Sequence, residues 1–454
     1  MTILKQTIAL ALCLLMLAAL AACGAQPKPA ATEAAQEPGN NTAPEKEAEN
    51  DPAGDKEQEK PAAPDVQILP IAVPVYPEEP SVEILEKTGL GAFADKSLPA
   101  LFAGLNGENR VFSPLNVYMA LAMLAEVTEG ESRAQLLETL GCADVEALRA
   151  EVRQLFETSY CDADELTVLP AASFWLRDGY AYKQEALDRL AKDYYAAAFS
   201  GPMGDEAYSQ ALRDWVNENT NELLKEQADG LSLDKDTMLA LVTTLYFKGR
   251  WADEFSPERT EQDVFHADSG DRNVDFMRRS DSMHYFRGER FGAIRLAMHG
   301  GAGMWIVLPD EGTSLQELID SGELGAFLSD PENAESREAM VHIRLPRFDV
   351  SSDLDLVDVL KQLGVVDVFD GEISDFSPLT VDPLYVDSVE HAARVKIDEE
   401  GCEAAAFTAI TVKAAGLIMN EEEVEFTCDR PFFFAVTGSQ GQLLFTGAVN
   451  EPAE

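Results

Sequence analysis

The sequence predicts a single α+β domain with antiparallel or mixed β-sheets. Helical patterns come early: Ser113-Pro114 is a helix start signal, and apolar side chains recur at helical spacing over residues 116–125 and again over 211–225. Strand patterns come later, as short apolar or β-branched runs between turn residues. These runs cover residues 304–308, 342–345, 432–436 and 443–445. No second linker, repeat or low-complexity tract follows Ser81, so helices and strands share one domain.

The charge balance excludes one large class of partners. The chain has 454 residues, with 81 Asp and Glu against 35 Lys and Arg, and a net charge of −46. Nucleic-acid binding needs clustered cations on the protein, so we expect no nucleic-acid partner. The 46% hydrophobic and 8% aromatic content is ordinary for a globular protein, which excludes collagen, a coiled coil and a wholly disordered chain.

The N-terminus has the features of a targeting segment. Lys5 precedes an apolar run at residues 7–20, and small residues lead to Cys23. This pattern resembles a bacterial lipoprotein signal, in which Cys23 is acylated and becomes the mature N-terminus. An ordinary secretory signal that happens to contain Cys23 is the alternative. No second run reaches the roughly 20 apolar residues of a membrane helix. We therefore expect a lipid anchor on the extracellular face of a bacterial envelope.

A polar stretch follows the targeting segment. Residues 24–80 are rich in Ala, Pro, Glu, Gln, Asn and Asp, with few large apolar side chains to offset the entropy of ordering. We expect a disordered tether with a reach of roughly 40 Å, since repeated prolines disfavour a helical stalk. The predicted organisation is a signal peptide at 1–23, a tether at 24–80 and a folded domain at 81–454.

The cysteines indicate neither a disulfide framework nor a zinc site. Cys13 leaves with the signal, and the spacings of Cys142, Cys161, Cys402 and Cys428 match no zinc clamp or stapled domain. They are interpreted as free or buried thiols. A bond between Cys402 and Cys428 stays open.

No catalytic motif stands out. The chain lacks Gly-x-Ser-x-Gly, His-Glu-x-x-His and Gly-x-x-x-x-Gly-Lys, and its five histidines show no ligand spacing. Residues 89–94 resemble a dinucleotide loop only loosely and are better explained as the start of a helix. We predict no catalytic residue, no metal and no cofactor. A hydrolytic lipoprotein would need a nucleophile–base pair that the sequence does not offer.

An ordered series of short motifs resembles the serpin family over roughly residues 82–450. Each motif is weak alone, but they occur in the family's order. They are Asn-Arg-Val-Phe-Ser-Pro-Leu-Asn from residue 109, Gly-Glu-Ser-Arg from 130, Thr-Leu-Tyr-Phe-Lys-Gly-Arg-Trp from 244, Leu-Pro-Asp-Glu from 308, Leu-Pro-Arg-Phe from 345, Asp-Phe-Ser from 375, Val-Lys-Ile-Asp-Glu-Glu-Gly-Cys-Glu-Ala-Ala-Ala from 395 and Arg-Pro-Phe-Phe from 430.

The resemblance implies a fold with three β-sheets, about nine helices and an exposed reactive centre loop near the C-terminus. In inhibitory members a target serine protease cleaves this loop and forms an acyl-enzyme. The loop then inserts into the central sheet and distorts the bound protease. The protease supplies the nucleophile and base, so this chain is expected to be a monomeric inhibitor and not an enzyme.

The resemblance also implies roles for particular residues, with core packing as the alternative for those in the interior. The implied hinge comprises Glu399, Glu400, Gly401, Cys402, Glu403, Ala404, Ala405 and Ala406. The implied shutter and breach positions, which control opening of the sheet, are Ser113, Pro114, Asn116, His391 and Trp251. Three positions depart from the family: Cys402 replaces the usual Thr or Ser and adds oxidation sensitivity, and Ala172 and Thr243 stand where Asn is common.

The loop sequence has the alternation that insertion requires. An inserting strand turns every second side chain inward, where only small or apolar groups fit. The set starting at Cys402 meets this condition, while Glu403 and Lys413 fall in the outward set. The inward set is Cys402, Ala404, Ala406, Thr408, Ile410, Val412 and Ala414. This sorting predicts an inhibitory member. The alternative is a non-inhibitory serpin that serves as a surface binding protein.

Counting from Glu399, the family's frame places the scissile bond between Ala415 and Gly416. A small side chain at Ala415 suits the shallow pocket of an elastase-like protease. If the count slips, Lys413 would indicate a trypsin-like target, and Leu417 or Met419 a chymotrypsin- or subtilisin-like one. The acidic run at 421–423 would attract a basic protease.

Overall fold

The computed structural model describes residues 68, 70–76, 88–402 and 422–452. All of them belong to one compact unit, Pro64–Glu454. The predicted signal peptide, Cys23, most of the tether and the loop residues 403–421 lie outside the described residues.

Ten α-helices occur in the described residues. They are α1 (Gly89–Leu101), α2 (Pro114–Val127), α3 (Gly130–Leu140), α4 (Val145–Ser159), α5 (Gln184–Asp193), α6 (Glu206–Asn219), α7 (Lys225–Asp229), α8 (Leu315–Asp320), α9 (Glu323–Ser329) and α10 (Val357–Gln362). No helix of this described part is long and apolar enough to cross a membrane.

Helix α2 confirms the helix predicted at 116–125. Its first residue is Pro114, whose fixed φ suits that position, and the Ser113 hydroxyl accepts a hydrogen bond from the Asn116 amide at 3.2 Å. Every residue of α2 is buried, so this helix lies at the centre of the core.

The helix predicted at 211–225 is wrong at both ends. Helix α6 begins earlier because the Asp205 carboxylate accepts a hydrogen bond from the Ala207 amide at 2.8 Å. The helix ends at Asn219, since Asn221 and Glu222 adopt left-handed backbone with φ of 50° and 60°. A short loop therefore separates α6 from α7.

Seventeen β-strands are described. They are β1 (Pro70–Ala72), β2 (Arg110–Phe112), β3 (Cys161–Ala163), β4 (Leu166–Arg177), β5 (Ala196–Gly201), β6 (Leu239–Arg250), β7 (Glu261–Ala267), β8 (Gly270–Arg287), β9 (Phe291–Ala297), β10 (Gly303–Pro309), β11 (Glu335–Pro346), β12 (Phe348–Asp355), β13 (Glu390–Ile397), β14 (Gly401–Cys402), β15 (Glu422–Thr427), β16 (Phe432–Thr437) and β17 (Leu443–Val449). The predicted runs at 304–308, 342–345, 432–436 and 443–445 fall within β10, β11, β16 and β17, which confirms all four.

The central sheet has the order β1-β5-β4-β6-β14-β13-β12, with β3 beside β4. Its pairs are antiparallel except for the parallel pair β4–β5. A second network has the order β15-β11-β8-β9-β10-β16-β17-β2, with β7 beside β8. The long strand β8 joins two sheets in this network, because it pairs with β7 and β11 along most of its length and with β9 only at its end. The expected three-sheet α+β fold is confirmed.

Helix α6 covers one face of the central sheet through a small apolar cluster. Tyr208 of α6 is buried against Trp175 of β4, and Trp175 stacks on Phe199 of β5 at 4.3 Å between ring centroids. The helix therefore lies over the β4–β5–β6 side of the sheet.

Residues 70–76, which the sequence places in the tether, pack on the body. Pro70 of β1 pairs with Phe199 of β5, and the Val75 amide donates to the Ala191 carbonyl at 2.9 Å. The ring of Tyr76 stacks on Tyr195 at 5.7 Å. These apolar residues can bury surface that the rest of the tether lacks, so the folded part reaches at least to Pro70. The remaining domain boundaries stay predictions.

Candidate functional site

After β13, a tight turn brings the chain back into the central sheet as strand β14. The Asp398 carboxylate accepts a hydrogen bond from the Glu400 amide at 2.9 Å, and the Asp398 amide donates to the Gly401 carbonyl at 3.0 Å. Strand β14 then pairs with β13 through Cys402 and Ile397, and with β6 through Cys402 and Gly249. The implied hinge therefore begins as a strand between β6 and β13.

The geometry at this entry requires a glycine at position 401. A Cβ atom there would lie 2.2 Å from the Gly249 carbonyl oxygen and 2.8 Å from the Arg250 Cα. Both contacts are with backbone, which cannot give way easily. Cys402 follows with an exposed fraction of 3%, so it faces inward as the alternation predicts. The other members of the inward set lie beyond the described residues.

Glu399, in the turn, is buried and forms an ion pair with the partly exposed Arg347. Its carboxylate accepts hydrogen bonds from the Arg347 guanidinium, the closest at 2.5 Å, and one from the Thr260 hydroxyl. Only 5% of Glu399 is exposed. Burial acts to raise the pKa of Glu399, but the hydrogen bonds from Arg347 and Thr260 outweigh burial and lower this pKa. Glu399 is therefore ionised in the folded state.

Trp251, the residue after β6, binds the same turn. It is fully buried, and its indole Nε1 donates to the Asp398 carbonyl at 2.9 Å. Its backbone amide donates to the Glu400 carbonyl at 3.0 Å, and the Phe255 amide donates to the Glu399 carbonyl at 2.9 Å. We call Trp251, Thr260, Arg347, Asp398 and Glu399 the breach cluster.

The implied shutter residues lie at the other end of β13. The buried His391 ring accepts a hydrogen bond at Nε2 from the Ser113 amide at 3.0 Å, and it meets Phe112 edge-on at 5.1 Å between centroids. Burial lowers the pKa of His391 to about 4, so the imidazole is neutral at physiological pH. Asn116 is buried in α2, one turn from Ser113. We call Phe112, Ser113, Asn116 and His391 the shutter cluster.

Two of the three positions that depart from the resemblance lie opposite each other on neighbouring strands. Ala172 of β4 and Thr243 of β6 are directly paired, and Ala172 is buried.

No disulfide joins the four cysteines among the described residues. Cys142 and Cys161 are partly exposed, whereas Cys402 and Cys428 are buried. This excludes the bond between Cys402 and Cys428 and confirms the interpretation as free or buried thiols. Burial raises the pKa of the Cys428 thiol well above its usual range.

The structure brings the predicted residues together in two separate groups. Glu399, Glu400, Gly401, Cys402 and Trp251 meet at one end of β13, and Ser113, Pro114, Asn116 and His391 at the other. Ile397 lies six positions after His391, or about 20 Å along an extended strand. The functional roles of both groups stay predictions. Glu403, Ala404, Ala405, Ala406, Ala415, Gly416 and Cys23 lie outside the described residues.

The sequence analysis missed three members of the breach cluster: Thr260, Arg347 and Asp398. A signal for Arg347 existed, because it belongs to the Leu-Pro-Arg-Phe motif at 345–348. Its partner, Glu399, lies 52 residues further along the chain, and only the fold brings them together.

Comparisons with known proteins agree with this geometry. The family description serpin (serine protease inhibitor) matches residues 89–452. Serpin-Z2B of Oryza sativa subsp. japonica is 31% identical over 402 residues, which cover 80% of this chain and 97% of that protein. The chain belongs to the serpin family.

Solved serpin structures share the fold. The thermophilic serpin tengpin, in the native state, superposes with a TM-score of 0.75 at 24% identity, covering 85% of this chain and 100% of that chain. AtSerpin1 of Arabidopsis, in its native stressed conformation, superposes with a TM-score of 0.70 at 26% identity, covering 80% of this chain and 98% of that chain.

Proposed function

We propose that this serpin is a suicide-type inhibitor of an elastase-like serine protease. The protease cleaves the reactive loop, and the cleaved loop inserts into the central sheet while the protease is still attached. The observation that carries the proposal is strand β14, which already pairs with β6 on one side and with β13 on the other.

Strand β14 supports insertion because it lies where an inserted strand would begin. Gly401 passes the β6 backbone without a Cβ, and the buried Cys402 starts the inward alternation. The following inward residues are small or apolar up to Ala414. A strand continued in this register would add backbone hydrogen bonds to both neighbours and bury apolar side chains, which drives insertion after cleavage.

The covalent step uses the chemistry of the protease. Its serine Oγ attacks the carbonyl carbon of Ala415, the peptide bond to Gly416 breaks, and the new amine on Gly416 takes the proton delivered by the protease histidine. Ala415 is left as an ester on the protease serine. This chain contributes the substrate bond and the energy of insertion.

The small side chain of Ala415 supports an elastase-like target, with Lys413, Leu417 and Met419 as the residues to check if the bond lies elsewhere. We further propose that the protein acts as a monomer, held at the extracellular face of a bacterial envelope by a lipid on Cys23. Its net charge of −46 favours basic proteases and disfavours nucleic acid.

The test is to mix the chain lacking residues 1–23 with neutrophil or pancreatic elastase and run a denaturing gel. A band at the summed mass less that of the released C-terminal peptide is expected, because the ester survives denaturation. Mass spectrometry of the released C-terminal peptide then identifies the scissile bond. Trypsin and subtilisin complete the panel, and cleavage without a covalent band across all of them contradicts the proposal.

A pair of loop variants tests insertion directly. Ala404→Arg places a charge in the inward set, where burial without a partner is costly, so the variant should be cleaved as a substrate and release active protease. The matched Ala405→Arg carries the same charge in the outward set and should retain the covalent band. Equal behaviour of the two variants would contradict insertion in this register.

The alternative is a non-inhibitory serpin that binds a partner at the surface. Thermal unfolding of the loop-cleaved chain separates the two functions. Insertion should raise the melting temperature sharply, whereas a loop that never inserts should leave it unchanged.

A further inference from the structure

A pocket of about 260 Å³ on the second network of strands is lined mainly by basic and polar side chains. Four of its lining residues are arginines, Arg259, Arg278, Arg279 and Arg344, and Glu425 is the one carboxylate that lines it. The chain as a whole carries more than two acidic residues for each basic one.

The strand register places two of these arginines side by side. Arg344 of β11 pairs directly with Arg278 of β8, and His342 pairs with Ser280 two residues away on the same face. The Ser280 hydroxyl and the His342 Nδ1 are 2.8 Å apart. Like charges directly opposite each other on a sheet are destabilising, so the Arg278–Arg344 pair has a cost in stability.

Two carboxylates of β7 offset this cost. The Asp263 carboxylate contacts both Arg344 and Arg278, and Arg278 also reaches Glu261 at 2.7 Å. These carboxylates are at the β7 side of the arginine pair.

Aromatic rings also fix the arginines. The guanidinium of Arg344 lies 5.5 Å from the centre of the Phe276 ring, and that of Arg279 lies 4.8 Å from the Phe255 ring. Arg259 adds an exposed fourth side chain at the rim. Arg278, Arg279 and Arg344 are therefore held in place by ion pairs and aromatic rings before any ligand arrives.

We infer that this pocket binds a tetrahedral oxyanion, either a phosphate or a sulfate group. Planar guanidinium groups bind such oxyanions through paired, charge-assisted hydrogen bonds, and Ser280 supplies a hydroxyl. The volume holds one such group with space for the molecule that carries it. The pocket lies beside Glu425 of β15, the strand that follows the reactive loop. The inference does not depend on inhibition.

Calorimetric titration of the chain lacking residues 1–23 tests the inference. Inorganic phosphate and inorganic sulfate are titrated separately, with sodium chloride holding the ionic strength constant. We expect saturable binding of one anion per chain, with a dissociation constant on the order of 1 mM or tighter for at least one of the two. Comparison of the two anions shows which group the pocket prefers.

Arg344→Gln removes one of the paired cations and should weaken binding about tenfold or more. Arg337→Gln is the matched control, because Arg337 is also on β11 and contacts Glu422 at 3.2 Å, but does not line the pocket. It should bind as the unchanged chain does.

Arg259→Gln keeps the test decisive if Arg344→Gln fails to fold. Arg259 is exposed in a short 3-10 turn, so its side chain can change without loss of the core, and binding should weaken by about threefold or more. Two results would overturn the inference: no saturable binding of either anion, or equal binding by the Arg259→Gln and unchanged chains.

Discussion

The breach cluster and the shutter cluster hold the two ends of strand β13 by different means. At the breach, an ionised Glu399, the Arg347 guanidinium and the Trp251 indole attach a turn to its neighbours. At the shutter, a neutral His391 accepts one backbone hydrogen bond inside an apolar setting. The breach is therefore sensitive to the loss of polar partners, and the shutter to the gain of a charge.

The largest expected effect is at the breach. Trp251→Ala removes a fully buried indole and its hydrogen bond to Asp398, and should lower the free energy of unfolding by about 3–5 kcal/mol. Urea denaturation measures this loss. Trp251→Phe keeps a ring without the donor and should lose less, so equal losses in the two variants would show that the hydrogen bond to Asp398, and not the packing of the ring, matters at this end.

The next effect belongs to the shutter and depends on pH. The folded-state pKa of His391 is about 4, below the ordinary value of 6.5, so its contribution to stability is complete above pH 6.5. As the pH falls from 6.5 to 4, the unfolded chain binds the proton first, and up to about 3 kcal/mol is lost.

Comparison with His391→Gln, which keeps an acceptor near the Ser113 amide, isolates this effect. Urea midpoints at pH 6.5 and pH 4 should differ less in the variant than in the unchanged chain. The same slope in both chains would show that His391 is not the group that titrates.

The breach has its own pH window. The pKa of Glu399 is lowered, so its contribution is present above the ordinary glutamate value of 4.5 and is lost as the pH falls below it. The pH range in which the shutter loses stability, from 6.5 down to about 4, begins at a higher pH. A Glu399→Gln variant should therefore match the unchanged chain in pH dependence between pH 6.5 and 4.5, and differ from it only below.

A smaller effect comes from the Arg347–Glu399 pair. Arg347 is partly exposed and Glu399 is buried, so Arg347→Gln should cost about 1–2 kcal/mol, between the values of surface and buried ion pairs. A double-mutant cycle with Glu399→Gln measures the coupling between the two side chains. Additive losses would mean that the pair contributes nothing to holding the turn.

The smallest expected effect is on the rate at which Cys402 reacts with a thiol reagent, and not on the free energy of unfolding. Cys402 is buried between β6 and β13, so it should react with a thiol reagent more slowly than the partly exposed Cys142 and Cys161. The oxidation sensitivity that the sequence suggests is thus suppressed while β14 is in place. Arg347→Gln should speed labelling of Cys402 and leave Cys142 unchanged, which peptide mass mapping can measure.

The sequence was sufficient for the fold and for part of the site, for physical reasons. Helix α2 and strands such as β10 follow from local periodicity and capping, and the predicted positions agree with the structure. The end of α6 was not predicted correctly. The helix stops before a left-handed backbone at Asn221 and Glu222, and neither residue is a glycine, which is the usual sequence signal for that conformation. The contact of Arg347 with Glu399 depends on two strands meeting, which no local pattern encodes.

The short strand β1 and the strand β12 have a consequence for self-association. The central sheet ends on one side in a three-residue strand with Pro70 in it and Pro74 just beyond, and proline offers no amide donor to a neighbouring chain. On the other side it ends in β12, which carries Asp349, Asp353 and Asp355. Short, proline-bearing and acidic edges repel strands from other molecules. Both edges of the described sheet therefore disfavour pairing with a strand of another molecule.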